Sequence, residues 1–354
     1  MKLTIADIAR QAGVSKATVS RVLNKRAEGV GAETRARIQK IVAETGFQPS
    51  AMARCLATGQ SCSVGLIIPD IANPFFAQLV RGAEAVLNRD GYSLFLCNSD
   101  RSIEKESDYI RVLIEKGVDG VILNSAGSAL DTQVEMLEAK GIPVVLLDRV
   151  IKRRESRFGV FVDNQGGARE AASCLYAQPD CRLLFLNGPA ELSQSVERLA
   201  GVEEAVRELG IPAQRLQVIN SDFTPEGGYH AISALLDQAG KTAALPFNAI
   251  FAANDLMAIG AARALHQRGI RVPDEVELIG FDDIEFAAML EPPLSTIAQP
   301  AQEMGANSAE LLLRLIAGQK PRTKTLVMTP RLVLRGTTRA RAVAAEHKHH
   351  IQEQ

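Results

Sequence analysis

Near the N-terminus the apolar positions recur with helical spacing. Ile5, Ile8, Ala9 and Ala12 share one face of a stretch from Thr4 to Ala12. Thr4 stands as an N-cap, with Asp7 three residues on in a capping-box variant. Gly13 stops this helix, because glycine takes a positive φ at little cost. Ser15 caps a second helix that runs to about Leu23. A third is predicted from about Ala32 to Thr45, closed by Gly46. A short fourth runs from Ser50 to about Ala57, with Pro49 in its first turn.

After the polar linker Thr58-Gly59-Gln60-Ser61 the pattern changes to short apolar runs that alternate with amphipathic stretches. The runs are Ser63–Ile68, Ser93–Asn98, Gly120–Leu123 and Val144–Asp148, then Phe158–Val162, Arg182–Asn187, Ala249–Ala252 and Glu277–Phe281. Unbroken apolar runs rich in branched residues are the mark of buried parallel strands. Between them, helices are predicted over about Phe75–Arg89, Lys105–Glu115, Thr132–Lys140, Gly166–Leu175, Val196–Leu209, Pro225–Leu236 and Asp255–Gln267. The fold class is α/β: a small helical head followed by a βαβ pattern wound twice into two parallel-sheet lobes. Ligands of such sheets bind beyond the carboxyl ends of the strands, here in the cleft between the lobes.

Charge divides the 354 residues unevenly. Residues 1–60 hold ten basic against four acidic side chains, net +6, while the whole chain is −1, leaving −7 for the remainder. A basic helical head on an acidic body suits phosphate binding at one end and another partner at the other. A helix, a short glycine turn and a second helix form a helix-turn-helix, whose second helix enters the major groove of DNA.

The rest of the composition narrows the class. No apolar h-region or run of about 20 apolar residues is present, so a cytoplasmic, nucleoid-associated protein without a membrane partner is expected. Cys55, Cys62, Cys97, Cys174 and Cys181 are odd in number and lack CxxC spacing, reading as reduced thiols. His347, His349 and His350 lie in a polar tail, 340–354, that reads as disordered. There is no Walker loop, HExxH, GxSxG or strand-borne GxGxxG. Gly166-Gly167 and Gly227-Gly228 read as packing glycines at helix starts. Asp282-Asp283 follow a strand but lack convergent His or Glu partners. Neither enzyme, metal nor cofactor is expected.

The segments TIADIARQAGVSKATVSRVLN, PSAMARCLA, NPFF at 73–76 and VELIGFDD at 276–283 together resemble the lactose-repressor family of bacterial transcription regulators, over about residues 3–339. The resemblance implies a headpiece over 1–48, a hinge helix and linker over 49–62 and a two-lobed effector-binding and dimerisation domain over 63–339. It implies base reading by Lys16, Ala17 and Arg21, the lysine and arginine being suited to guanine O6 and N7. Thr4, Ser15, Thr18, Ser20 and Asn24 would bond phosphates and set register. In the hinge helix, Leu56 would act as a minor-groove wedge flanked by Ala53 and Arg54.

The body is similar to the family's effector domain and to ribose-binding proteins. The resemblance implies an effector set of Asn73, Phe75, Phe76, Asp148, Arg149, Asn164, Arg198, Phe223, Asn254, Asp282 and Gln299. These side chains suit a polyol: carboxylates and amides meet vicinal hydroxyls, an arginine forks across two oxygens, and phenyl faces stack on C–H groups. A ribose-like pentose is the first expectation. Arg149 and Arg198 keep a sugar acid such as a ketogluconate open as the second.

Some positions depart from the family pattern. Gly31 replaces the usual Ser or Thr cap of the third helix, and Ser50 a common asparagine. Leu192, Ser193 and Gln194 lack the arginine of purine-sensing members. Arg339–Gln354 has no leucine heptads, so a dimer on pseudo-palindromic operator DNA is expected rather than a tetramer. The expected function is repression of a sugar-utilisation operon, relieved when the sugar binds. A corepressor-dependent or global catabolite regulator is the alternative; a sugar-binding transport protein and a Rossmann-like enzyme are the rivals from other classes.

Overall fold

The computed structural model describes residues 3–23, 29–47, 60–125, 130–148, 157–239, 245–319 and 321–339. The chain divides into two compact units, one of Met1–Cys62 with Gly117–Asp119, the other holding the rest.

In the first unit three helices, α1 (Ile5–Ala12), α2 (Lys16–Leu23) and α3 (Ala32–Thr45), enclose a small core of Ile8, Ala9, Ala12, Val19, Val22, Ile38 and Phe47. Apart from Phe47, which follows α3, these are residues that helical spacing places on one face of their helices. Gly13 at φ 63° closes α1, and the Val14 N–H reaches back to the Ala9 carbonyl at 3.0 Å. Gly31 is the N-cap of α3 and makes no side-chain cap bond. The predicted fourth helix, with Ala53, Arg54 and Leu56, lies outside the described residues, as do Asn24, Arg149 and the C-terminal tail. Where the linker ends, the Asp119 carboxylate accepts the N–H groups of Ser61 and Cys62 at 2.9 and 2.7 Å.

The second unit contains two six-stranded sheets. The strands are β1 (Ser63–Ile68), β2 (Ser93–Asn98), β3 (Gly120–Leu123), β4 (Val144–Leu147), β5 (Gly159–Val162), β6 (Leu183–Asn187), β7 (Leu216–Asn220), β8 (Ala249–Ala252), β9 (Glu277–Asp282), β10 (Ser295–Ala298), β11 (Thr325–Met328) and β12 (Arg331–Val333). The first sheet has the order β11-β5-β4-β3-β1-β2 and is parallel throughout. The second is β12-β10-β9-β8-β6-β7, with β12 antiparallel to β10. Of the strands read as unbroken apolar runs, β1 and β9 are buried along their whole length, because helices cover both faces of a parallel sheet, whereas β2, at the sheet edge, is largely exposed, contrary to expectation.

The covering helices are α4 (Pro74–Arg89), α5 (Ile103–Lys116), α6 (Leu130–Glu138), α7 (Asn164–Tyr176), α8 (Ser193–Glu208), α9 (Pro225–Ala239), α10 (Asp255–Gln267) and α11 (Ala301–Ile316). The strands β7, β10, β11 and β12 and the helix α11 were not anticipated from sequence. They show that the chain returns to the first lobe: α11 packs on α4, β3 and β4, and β11 pairs with β5. Gly228 is a packing glycine, as expected, since a Cβ there would stand 2.3 Å from the Met257 carbonyl oxygen on α10. Among the described residues, Cys62, Cys97, Cys174 and Cys181 form no disulfide.

Candidate functional site

In the first unit, α2 buries Val19 and Val22 and presents Lys16, Ala17 and Arg21 to solvent. Neither Lys16 nor Arg21 forms an ion pair with a described residue. Ser15 Oγ accepts the Thr18 N–H at 3.1 Å and lies 2.9 Å from the Thr18 hydroxyl. That pair shares one hydrogen bond and keeps one hydroxyl hydrogen for a phosphate. Thr4 is different. Its N–H and its hydroxyl both donate to Asp7 Oδ2, at 3.0 and 2.6 Å. These bonds hold the Asp7 carboxyl below its usual range, and they leave Thr4 without a spare donor in this state. Ser20 is half-buried on the same helix.

In the second unit a cleft with about 440 Å³ of empty space opens at the carboxyl edges of both sheets. Asn73, Phe75, Phe76, Asp148, Arg198, Phe223, Asn254, Asp282 and Gln299 line it, joined by Pro69, Arg101 and Gln194. Asn164 is brought close but does not line the cleft. It lies in the first turn of α7, accepts the Arg198 Nε–H at 2.9 Å and donates to Glu197 at 2.9 Å. It holds the arginine from behind.

Each wall has a local cause. Asn73 caps α4 by accepting the Phe75 N–H at 3.0 Å, which fixes the start of that helix under Phe75 and Phe76. Those two rings meet edge to face, with centroids 5.2 Å apart. Asn254 caps α10 through the Met257 N–H and donates to the Phe223 carbonyl at 3.0 Å. Asp148 lies one residue past the end of β4, which stops at Leu147 rather than at Asp148. Asp148, Phe223, Asp282 and Arg101 have φ of 63°, 64°, 119° and 61°. Such non-glycine conformations cost about 1–3 kcal/mol each and are characteristic of functional sites.

The electrostatics centre on Arg198. Its guanidinium is buried, stacks 3.7 Å over the Phe281 ring and donates to the Ala253 carbonyl as well as to Asn164. Burial lowers its pKa, while Asp282, Asp148, Glu197 and Asp255 act in the other direction. Asp282 accepts from Gln299 Nε2 at 2.7 Å. Burial pushes the Asp282 carboxyl up to about 7, against the pull of Arg198. Asp148 Oδ2 accepts from Gln194 Nε2 at 3.0 Å. Among the described residues, Asp148 Oδ1, Gln194 Oε1 and Gln299 Oε1 are buried without a hydrogen-bond partner.

One signal for the unexpected residues was present in the sequence, the position of Arg101. Arg101 follows the carboxyl end of β2, where the strand-end rule applies as it does to β1 and β4. Gln194 was placed in a loop, but α8 begins at Ser193, three residues before the predicted Val196, which turns Gln194 and Ser195 inward.

Comparison with known proteins adds the rest. Residues 4–50 match the model of the bacterial regulatory proteins of the lacI family, and 165–338 the periplasmic binding protein-like domain. The chain is similar to the ribose operon repressor of Halalkalibacterium halodurans, 37% identical over 336 residues, 95% of this chain and 97% of that protein. It is similar to the HTH-type transcriptional repressor PurR of Vibrio parahaemolyticus, 36% identical over 339 residues, 95% and 98% of the two chains. The solved lac repressor dimer, bound to operator and the anti-inducer ONPF, matches with a TM-score of 0.84 and 28% identity, covering 96% of this chain and 100% of that one.

The chain belongs to the lacI family of bacterial regulatory proteins. It is therefore a DNA-binding transcriptional repressor with a helix-turn-helix head and a periplasmic-binding-protein-like effector domain, and not an enzyme. Among the described residues of this lacI-family repressor no cluster of His, Cys, Asp and Glu suited to a metal occurs, and no described helix is long and apolar enough to cross a membrane.

Proposed function

We propose that this repressor controls a sugar-utilisation operon in the cytoplasm and is released from its operator by a neutral monosaccharide, a ribose-like pentose before others. The observation that carries this is the set of three partnerless buried atoms at the cleft, Asp148 Oδ1, Gln194 Oε1 and Gln299 Oε1. All three are acceptors. A polyol brings hydroxyl donors to meet them, whereas a carboxylate or phosphate brings acceptors only. The phenyl rings of Phe75, Phe76 and Phe223 supply apolar walls for the C–H faces of a sugar. Similarity to a ribose operon repressor favours the pentose. Similarity to PurR favours a purine, but Leu192-Ser193-Gln194 carries no arginine and Gln194 is bonded to Asp148 instead.

A sugar acid is the second reading, favoured by the Arg198 guanidinium at the cleft; Arg149, the other arginine that suits a carboxylate, lies outside the described residues. In either case we assign base reading to Lys16, Ala17 and Arg21, phosphate contacts to Ser15, Thr18, Ser20, Thr4 and Asn24, and the minor-groove wedge to Leu56 with Ala53 and Arg54. Two copies would pair to read two half-sites. The apolar edge strand β2, with Phe95 and Leu96 exposed, and Val112 on α5 offer such a pair a surface. Coupling of about 1–3 kcal/mol per site between effector and operator is sufficient for release.

The test is a thermal-shift and titration-calorimetry screen of the full chain against D-ribose, other pentoses, hexoses, ketogluconate and purines, followed by operator gel shifts with each ligand that binds. A pentose that stabilises the protein and frees the operator supports the proposal. A purine that tightens operator binding overturns it.

A further inference from the structure

One side chain at the cleft does a task that no effector contact requires. Arg101 comes from the first lobe, in the loop after β2, where it and Asp100 both have positive φ. Its backbone N–H donates to the Pro69 carbonyl at 3.0 Å, which sets the loop against the end of β1. Its Nη2 pairs with Asp70 Oδ2 at 2.7 Å. Its Nη1 donates to the backbone carbonyl of Asp222, which belongs to the loop after β7 in the second lobe.

Both partners are anchored in turn. Asp70 Oδ1 accepts the Ala72 N–H at 3.0 Å, and the Asp70 carbonyl accepts the Asn73 N–H at 3.3 Å, so Asp70 shapes the turn that delivers Asn73. Asp222 Oδ1 accepts the N–H and hydroxyl of Thr224 at 2.9 and 2.7 Å, bracketing Phe223 at its left-handed φ. One guanidinium thus ties together the two loops that carry Asn73 and Phe223, from opposite sides of the cleft. Another bond between the lobes at the cleft, from Gln194 to Asp148, uses side chains that a bound effector would itself engage. The Arg101 bond ends on a main-chain oxygen and is independent of what the cleft holds.

We propose that Arg101 is a closure latch of the effector cleft, holding the Phe223 loop of the second lobe to the Asn73 loop of the first without any help from the effector. This rests on the reading of the cleft as the effector site. A planar fork is the side chain for the task, because it satisfies a carboxylate with one nitrogen and a carbonyl with the other. A lysine keeps the charge but offers a single point. The latch slows effector release, since the Phe223 wall must lift before the ligand leaves.

The experiment is hydrogen exchange with mass spectrometry on the ligand-free full chain, comparing wild type with Arg101→Ala and Arg101→Lys. Exchange at 70–73 and 221–224 is expected to rise about tenfold in Arg101→Ala, with Arg101→Lys between it and wild type, while β1 and β6 exchange as before. Unchanged exchange at 221–224 in Arg101→Ala overturns the latch, as does a lysine variant indistinguishable from wild type. D-ribose is the probe for release: in stopped flow its dissociation is expected to quicken about tenfold in Arg101→Ala with little change in association. Unaltered dissociation overturns the slowing of release. Failure of the wild type to bind D-ribose counts against the monosaccharide reading alone, and the exchange result then still decides the latch.

Discussion

Asn164 accepts the Nε–H of Arg198 at 2.9 Å and, through its amide nitrogen, bonds the neighbouring Glu197. The buried guanidinium therefore reaches the cleft already oriented by Asn164. Asn164→Ala is expected to cost about 1.5–3 kcal/mol of stability, the range for a hydrogen bond to a charged group. It should also weaken effector binding while leaving operator affinity intact. Urea denaturation and calorimetry check the two effects separately.

Operator selectivity should depend on Arg21. Removing a bidentate base contact costs about 1–3 kcal/mol of discrimination. Arg21→Ala should therefore narrow the gap between operator and scrambled DNA, whereas Ser15→Ala should weaken both alike. Fluorescence anisotropy over a range of salt concentrations separates these outcomes. Selectivity that survives Arg21→Ala would remove α2 from the role of recognition helix.

The Asp282 carboxyl gives the domain a pH signature. Its folded value is about 7 against an ordinary 3.8. Between these values the folded chain holds a proton that the unfolded chain has released. The associated stability is complete below the lower value and is lost as pH rises through about 7. Asp282→Asn should flatten this slope in denaturation series from pH 4 to pH 8. A sugar hydroxyl that donates to Asp282 favours the ionised form, so binding near pH 7 should release protons. Calorimetry in buffers of different ionisation heat reads that release, and an anionic effector would instead drive proton uptake.

Gly228 tests the packing of the second lobe. An added Cβ would meet the Met257 carbonyl oxygen of α10, which is backbone and cannot swing aside. Gly228→Ala should destabilise by about 1–3 kcal/mol, as overpacking does. A melting curve identical to wild type would mean that α9 and α10 part more readily than their contact suggests.

Much of this was legible in the residues. The head was readable because Ile8, Val19 and Ile38 fall on the inner faces of capped helices and build a core by themselves. The strands β1, β6 and β9 announced themselves as apolar runs because both of their faces are covered. β7 was not readable: Leu216-Gln217-Val218-Ile219-Asn220 is a half-exposed edge with no clean period. α11 buries Ala301, Gly305, Ser308 and Ala309, small residues that carry little hydrophobic signal yet allow close helix contact. Arg101 escaped because its importance lies in a bond to a residue 121 positions away, which local pattern does not encode.

The return of the chain to the first lobe has a consequence for the order of synthesis. Its sheet lacks an edge until β11 (Thr325–Met328) is made, and α4 lacks its cover until α11 is complete. The head, with its own core in the first 47 residues, needs neither. On the ribosome a DNA-reading surface can therefore take shape long before the domain that restrains it, and the effector domain closes as one event near the end of translation. A chain halted before residue 325 would carry a head with its own core and a first-lobe sheet still lacking β11.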